Sequence, residues 1–486
     1  MAQGDTGLKN ATYEQEKAFR SNKPLNLNQL GANNIMDKRG LGCGFPFTTG
    51  NINHENGIPI GYNMDDGQII FFDTFDRGLD NYNMVIFAKS GGGKSTFIKM
   101  LSGRSSTLDD IQTISLDIEP EYNNIAATLG GSMVKIAPKS DTIINPFHIE
   151  IDMVEDKETN KYHEKILLTK KINSVTDILL TMAKGNLSSN NEYYDDVLKQ
   201  IIKDCIRECY EDYSITEEVS SIYEYVDEQI INGKIVGGKN RKDMPTISSW
   251  YEKIKRHSSE NKVETYQKYY DYLLLVMKDY CKSQNGGFTC FDGQNNVDIN
   301  YDIPFINFDL SELNEKNELP LGQHIICDFI WETLVKRNNS GHKIRVIVDE
   351  AWRMAKIIDN KPVYPEALEF LDNMFRRARK KNTSTVVISQ QFGEFYNDLT
   401  KSIIRNSDTK LFLPPDSTSI DSIQEVFKLT EGETEFLRNC TRGQGLLKCN
   451  TTSAKLYIDI PSFEKEFVET NQNASKERVN NERRVI

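Results

Sequence analysis

"FAKSGGGKST", residues 87–96, sets three glycines directly before a lysine and a serine. Upstream, "YNMVIF" (82–87) is a short apolar run rich in strand formers; downstream, "TFIKMLSGR" (96–104) has apolar residues at 97, 98 and 101, a helical spacing. The glycines therefore stand where a strand becomes a helix. A helix N-terminus presents unpaired N–H groups and a partial positive charge. Gly91, Gly92 and Gly93 lack a Cβ, so the backbone from Ser90 to Thr96 can curl closely around an anion. Lys94 adds a full charge within reach of outer phosphates, and the Ser95 hydroxyl suits Mg²⁺. The pattern Ala88-x-x-x-x-Gly93-Lys94-Ser95 reads as a phosphate-binding loop with Ala in place of the usual first Gly. A flexible Gly/Ser turn has a similar composition but does not require the strand and helix at its ends. The expected ligand is a triphosphate; the loop alone does not say what its energy drives.

Further along, "IRVIVDEAW" (344–352) is an apolar strand ending in two acids. Beside a phosphate loop, Asp349 would hold the Mg²⁺ water shell and Glu350 would activate the attacking water. "TISLDIEPEYNN" (113–124) also ends a strand in acids, Asp117, Glu119 and Glu121, on the side where open α/β sheets bind ligands; one of them could equally cap a turn. "STVVISQQ" (384–391) ends a strand in Gln390 and Gln391, and a glutamine there can sense a γ-phosphate or orient water; periodicity does not say which faces the site. "MFRRARKKN" (374–382) reads as a solvated helix face, an arginine finger for a neighbouring subunit's nucleotide, or a surface facing DNA.

The bulk numbers narrow the class. With 486 residues, 38% apolar and 27% charged, the chain has the composition of a soluble globular protein of roughly three domain-sized units. The densest apolar run, "YLLLVM" (272–277), is far short of the roughly 20 residues a membrane span needs. "MAQGDTGLKN" lacks a secretory pattern, so we expect a cytoplasmic protein that meets membranes through partners. A net charge of −12 argues against a broad nucleic-acid-coating surface, though not against a local basic pore. The eight cysteines and six histidines are scattered; Cys205 and Cys209 are four apart on a predicted helix, but no second pair completes zinc spacing, so they read as buried thiols.

Strand candidates recur at 84–88, 112–118, 132–137, 304–309, 344–349, 384–389, 410–413 and 444–448, several of them apolar throughout, and helical stretches alternate with many of them. That is the pattern of an α/β fold with a mainly parallel sheet. Residues 57–76 alternate apolar and polar positions between glycine turns, a small β-structure. Between about 155 and 283 the period changes: Leu168, Ile172, Val175, Leu179 and Met182 share one helix face, as do Tyr194, Leu198, Ile201, Cys205 and Cys209, and 265–281 reads as another helix. We read an all-α subdomain inserted into the sheet domain, with "INGKIVGGKNRKDMP" (231–245) as a basic loop. The expected organisation is a lead-in at 1–44, the first part of the core at 45–154, the insertion at 155–283, the second part at 284–465 and a flexible tail at 466–486.

Taken in order, "FAKSGGGKST", "LDIEPEY", "INPFHIE", "CFDGQNNVDI", "INFDLSEL", "VIVDEAWRM", "RRARKKN", "SQQ", "IIRNSDTKLFLP" and "GQGLL" resemble the C-terminal motor of the VirB-four-type ATPases of conjugative type IV secretion, in the HerA–FtsK superfamily. The likeness covers about 45–465, and "DEAW" followed by "RKKN" and "SQ" is its most specific part. It implies a RecA-like P-loop NTPase core, ATP and Mg²⁺ as ligands, hexameric assembly, and ATP hydrolysis that powers pilus or channel assembly and the transfer of DNA or protein. It implies work at the inner face of the membrane beside secretion-channel and coupling proteins. By residue, Lys94 and Ser95 match the family's loop, Asp349 and Glu350 its acidic pair, Arg379 and Lys380 its Arg-Lys motif, which favours Arg379 as the arginine finger with Arg376 and Arg377 as alternatives, and Gln390 its polar sensor. Ile118 and Pro120 depart from the family's Pro and Gly, which leaves Glu119 and Glu121 without a carried-over role. The family's large N-terminal docking domain has only a short lead-in as its counterpart, so the chain is expected to be either a fragment comprising the motor portion or a variant lacking that domain. Two other readings share these features: a DNA translocase or coupling protein of the same superfamily, and an ATP-gated scaffold that does not hydrolyse. Intact Lys94, Asp349 and Glu350 weigh against the scaffold.

Overall fold

The structure, a computed structural model, describes residues 12–21, 29 and 51–468, apart from 157–160, 185–191, 232–233, 359–360, 391 and 399. The chain divides into two units, Met1–Thr49 and Gly50–Ile486. In the first, Gln15–Ser21 forms a short helix with no buried residue.

The second unit is built on an eleven-stranded sheet. Across it run Ile69–Phe72, Ile58–Asn63, Thr452–Tyr457, Gln444–Cys449, Thr409–Phe412, Met84–Phe87, Thr383–Ser389, Ile344–Val348, Gln112–Asp117, Phe305–Asp309 and Ser132–Lys135. The last seven pair in parallel and the first four add to them antiparallel. The parallel core follows from composition: "MVIF", "IRVIV" and "TSTVVIS" are buried at every position, as strands covered on both faces must be. Successive residues face opposite layers. Val85 and Phe87 enter one hydrophobic core, while Met84 and Ile86 enter the other with Phe97, Ile98 and Leu101 of the helix that follows the glycines.

The expected strands are present, and the sheet is mostly parallel as the alternation of strands and helices implied. The 57–76 β-structure is the hairpin at one edge of this same sheet, joined to it by Thr452–Tyr457. That strand was not read from the sequence, because only Ala454 and Leu456 alternate with polar neighbours, too short a pattern to stand out; antiparallel pairing along its whole length with Gln444–Cys449 creates it. The segment expected to be all-helical does carry Leu168–Lys184, Glu192–Asp212, Ile247–Glu260 and Glu264–Val276. A hairpin of Asp152–Asp156 with Lys161–Lys165 straddles its expected start at 155, and a second, Tyr223–Ile231 with Lys234–Arg241, lies within it, so it is not purely helical. The second hairpin includes most of the stretch read as a basic loop. Gly237 and Gly238 suppress the strand signal, yet backbone pairing across the hairpin supplies what side-chain pattern does not. The helices of this segment and one face of the sheet share a continuous core: Ile172, Leu179 and Trp250 belong to the same buried cluster as Val346 and Phe308.

Candidate nucleotide site

The three glycines each meet a separate constraint. Gly91 and Gly93 sit at φ +71° and +99°, backbone that residues with a Cβ rarely adopt. A Cβ on Gly92 would stand 2.9 Å from the Lys89 carbonyl oxygen and 3.3 Å from that of Pro414. The loop is tied to the strands beside it: Ala88 N–H donates to the Ser389 carbonyl (3.3 Å), Lys89 N–H to that of Pro414 (3.0 Å), and Gly92 N–H to that of Lys89 (3.0 Å). Gly93 begins the helix Lys94–Asp109 with no side-chain cap, which leaves the first helical N–H groups for a ligand. Ala88 is buried, so a methyl in place of the usual glycine fits.

Ile344–Val348 lies one strand away from Met84–Phe87, across Thr383–Ser389, and delivers Asp349 and Glu350 to the same end of the sheet. Lys94 Nζ donates to Glu350 Oε1 at 2.8 Å. The indole N–H of Trp352 donates to Glu350 Oε2 at 2.6 Å. Glu350 adopts φ +47°, and its N–H donates to Asp349 Oδ1 at 2.9 Å. Gln323, from the buried helix Glu318–Ile330, donates to the Asp349 carbonyl at 2.8 Å and fixes this turn from below. Burial pushes the Asp349 carboxyl up to about 7 against the opposing pull of Lys94, with Glu350 and Asp117 adding to the rise.

These groups border an open cleft. Ser90, Gly91, Gly93, Lys94, Ser95 and Thr96 line it together with Asp349, Glu350 and Gln390. Gln391 lies outside the described residues. Glu119 and Glu121 form part of the wall. Asp117 lies behind them, fully buried: its Oδ2 accepts from Tyr122 N–H (2.9 Å) and from Asn307 Nδ2 (3.0 Å), and burial raises it to about 7. Of the three acids in "LDIEPEY", Asp117 therefore closes the turn and the two glutamates reach the cleft.

Arg442 also lines the cleft, and the sequence reading had not singled it out. It stands in the turn between the helix Glu431–Asn439 and the strand Gln444–Cys449, which Gly443 completes at φ +87°. An arginine before a glycine at a strand start, in a chain this acidic, was the available signal.

Arg379 is not brought to the cleft. Its guanidinium donates to the Asp80 carbonyl and lies over the Tyr82 ring, 5.8 Å from its centre. Both contacts precede Met84–Phe87, whose far end carries the loop, so a strand about 13 Å long at ~3.3 Å per residue separates Arg379 from the nucleotide site of its own subunit. Its neighbour Arg376 pairs with Asp372 at 2.8 Å. Cys205 and Cys209 are buried in the helical core, and burial pushes the Cys209 thiol up to about 12.

The set of donors fits a magnesium–nucleotide complex. Ser95 and Asp349 are hard oxygen groups on one cleft, and a buried carboxyl that is costly to ionise alone regains its charge beside a divalent cation. Among the described residues, no helix is long and apolar enough to cross a membrane.

Comparison with known proteins agrees with this chemistry. The TraG P-loop domain matches residues 235–471, and the central domain of the helicase HerA matches residues 81–275. Protein TraC of Escherichia coli is 21% identical over 368 residues, 74% of this chain and 35% of its own. The type IV secretion protein VirB4 of Bartonella quintana is 26% identical over 148 residues, 29% of this chain and 17% of its own. The chain carries P-loop domains of the TraG and HerA type and is similar to the VirB4 and TraC proteins of type IV secretion. An uncharacterized Bacillus anthracis protein is 22% identical over 453 residues, 86% of this chain and 66% of its own. The chain thus spans between 17% and 66% of the length of these relatives. The structure of VirB4 from Thermoanaerobacter pseudethanolicus superposes with a TM-score of 0.68 at 24% identity, covering 86% of this chain and all of that one. The conjugative coupling protein TrwB superposes at 0.50 with 8% identity, covering 80% and 87%. Both likenesses establish the P-loop α/β fold.

Proposed function

We propose that this chain is a VirB4/TraC-type motor, that it hydrolyses ATP with Mg²⁺ in the 87–96 cleft and that turnover powers type IV secretion: assembly of the channel or pilus and transfer of its substrate. The observation that carries the reading is the bond between Lys94 and Glu350. It brings the phosphate-binding cation and the hydrolytic acid to one point, beside the Mg²⁺ ligands Ser95 and Asp349.

The glycine N–H groups and Lys94 take the β- and γ-phosphates, which draws the Lys94 ammonium off Glu350. Glu350 accepts a proton from a water that Gln390 orients. The water oxygen forms a bond to the γ-phosphorus while the bond to the β–γ bridging oxygen breaks, and its electron pair leaves on ADP. Ser95 and Asp349 would hold Mg²⁺, which would neutralise charge on the phosphates. Arg442 adds a cation from within the subunit. Arg379, too far from its own cleft, acts on a neighbour's nucleotide in a homo-oligomeric ring, a hexamer by family analogy. The ring works at the inner face of the membrane through channel and coupling proteins, and contacts DNA where DNA is the substrate.

The test is phosphate release by the purified chain with ATP and Mg²⁺, beside Glu350→Gln. Turnover that falls at least about a hundredfold in the variant, with nucleotide binding kept, supports the reading. Binding without turnover in the wild type points to the scaffold, and turnover that requires DNA points to a translocase.

A further inference from the structure

Glu350 is held by two donors at once, and they differ in kind. Lys94 reaches Oε1 at 2.8 Å from the phosphate loop, and Trp352 reaches Oε2 at 2.6 Å from two residues further along the chain. The short turn makes the second contact possible. Glu350 takes the left-handed conformation, and Arg353 N–H donates back to its carbonyl at 3.0 Å, which folds Trp352 over the carboxylate. The indole is itself held: the Arg353 guanidinium lies 4.9 Å from its ring and is anchored by Glu315 at 3.2 Å.

An ammonium and an indole respond differently to a nucleotide. Lys94 ends a flexible chain, and phosphate oxygens compete with Glu350 for it. The indole N–H is a donor only, does not titrate, and points at no phosphate-binding group. Arrival of a polyphosphate therefore empties Oε1 and leaves Oε2 bonded.

We propose that Trp352 is a positioning residue for Glu350: it pins Oε2, so that movement of Lys94 to the phosphate exposes Oε1, already oriented, as the proton acceptor. The inference rests on the hydrolytic reading above and adds to it a device that keeps the base paired until substrate displaces its partner.

The chain contains three tryptophans, so labelling the full protein with 5-fluorotryptophan gives three fluorine resonances, and the one missing from Trp352→Phe is assigned. The resonance is expected to shift in Glu350→Gln. In kinetics, Trp352→Phe is expected to lower kcat by about 10–100-fold with KM changed less than about twofold, because binding is intact and only the base is misplaced. Trp352→His, which keeps a ring N–H, is expected to recover part of kcat and serves where the Phe variant does not fold. An unmoved resonance, an unchanged kcat, or a loss confined to KM overturns the proposal. If the wild type hydrolyses no nucleotide, the functional reading fails while the resonance still decides whether Trp352 and Glu350 are paired.

Discussion

Lys94 and Glu350, 256 positions apart in the chain, meet at 2.8 Å with about nine-tenths of each side chain buried. Each neutralises the other, so the two substitutions are not equivalent. Lys94→Ala leaves the Glu350 carboxylate in the cleft without a counter-charge, bonded only by Trp352, and is expected to cost about 1–3 kcal/mol of stability as well as nucleotide binding. Glu350→Gln keeps a neutral partner, frees Lys94 for phosphate, and is expected to bind nucleotide at least as tightly as the wild type. Thermal melting and titration with a fluorescent nucleotide separate the two.

The pH response follows from Asp349. Burial raises its carboxyl from the ordinary 3.8 to about 7, so it is protonated at pH 6 and ionised at pH 8. A protonated carboxyl does not ligate a cation, and Mg²⁺-dependent nucleotide affinity is expected to fall by up to about tenfold per pH unit below 7. Asp349→Asn should bind weakly with a flattened profile over this range. Stability runs the other way. Between 3.8 and about 7 the folded chain keeps a proton that the unfolded chain releases, so this group's contribution is lost as pH rises through that window. Melting of the nucleotide-free protein should accordingly drop less in Asp349→Asn between pH 5 and 8.

The glycines are expected to separate by geometry. Gly92→Ala sets a methyl 2.9 Å from the Lys89 carbonyl oxygen and must open the loop; nucleotide binding should be lost. Gly91 has nothing within 4 Å of the added Cβ and only the strain of φ +71°, which costs about 1 kcal/mol, so Gly91→Ala should weaken binding by no more than about tenfold. Isothermal titration of both variants gives the comparison.

Arg442→Ala is expected to raise the Kd for ATP about tenfold, the effect of losing one charge-assisted contact in the cleft. Arg379→Ala is expected to leave Kd unchanged and lower turnover. Mixing it with Lys94→Ala subunits should restore activity, because one interface then joins an intact loop to an intact arginine. Absence of rescue, with activity per subunit independent of concentration, would assign Arg379 to holding the Asp80 carbonyl alone.

What was legible in the sequence was what repeats at short range. Gly91 to Ser95 lie next to one another, and their backbone requirements are local; the apolar strands announce burial on both faces; the 4-3 spacing in 168–209 announces helices. For that reason the phosphate loop, the parallel sheet and the acid pair after Ile344–Val348 could be read directly. The rest depends on contacts between distant segments. Thr452–Tyr457 is a strand because Gln444–Cys449 and the edge hairpin pair with it. Gln390 faces the cleft because its strand lies between those carrying the loop and the acids. Arg442 enters the cleft, and Arg379 sits at the opposite end of the strands, through chain direction across the sheet, which no single stretch encodes. Trp352 was visible in the motif, but its bond to Glu350 arises only where a left-handed turn folds the chain back on itself. Local pattern determined which groups this protein carries. Tertiary structure decided which of them meet, because pairing across the sheet and burial in the shared core set distances that adjacent residues cannot.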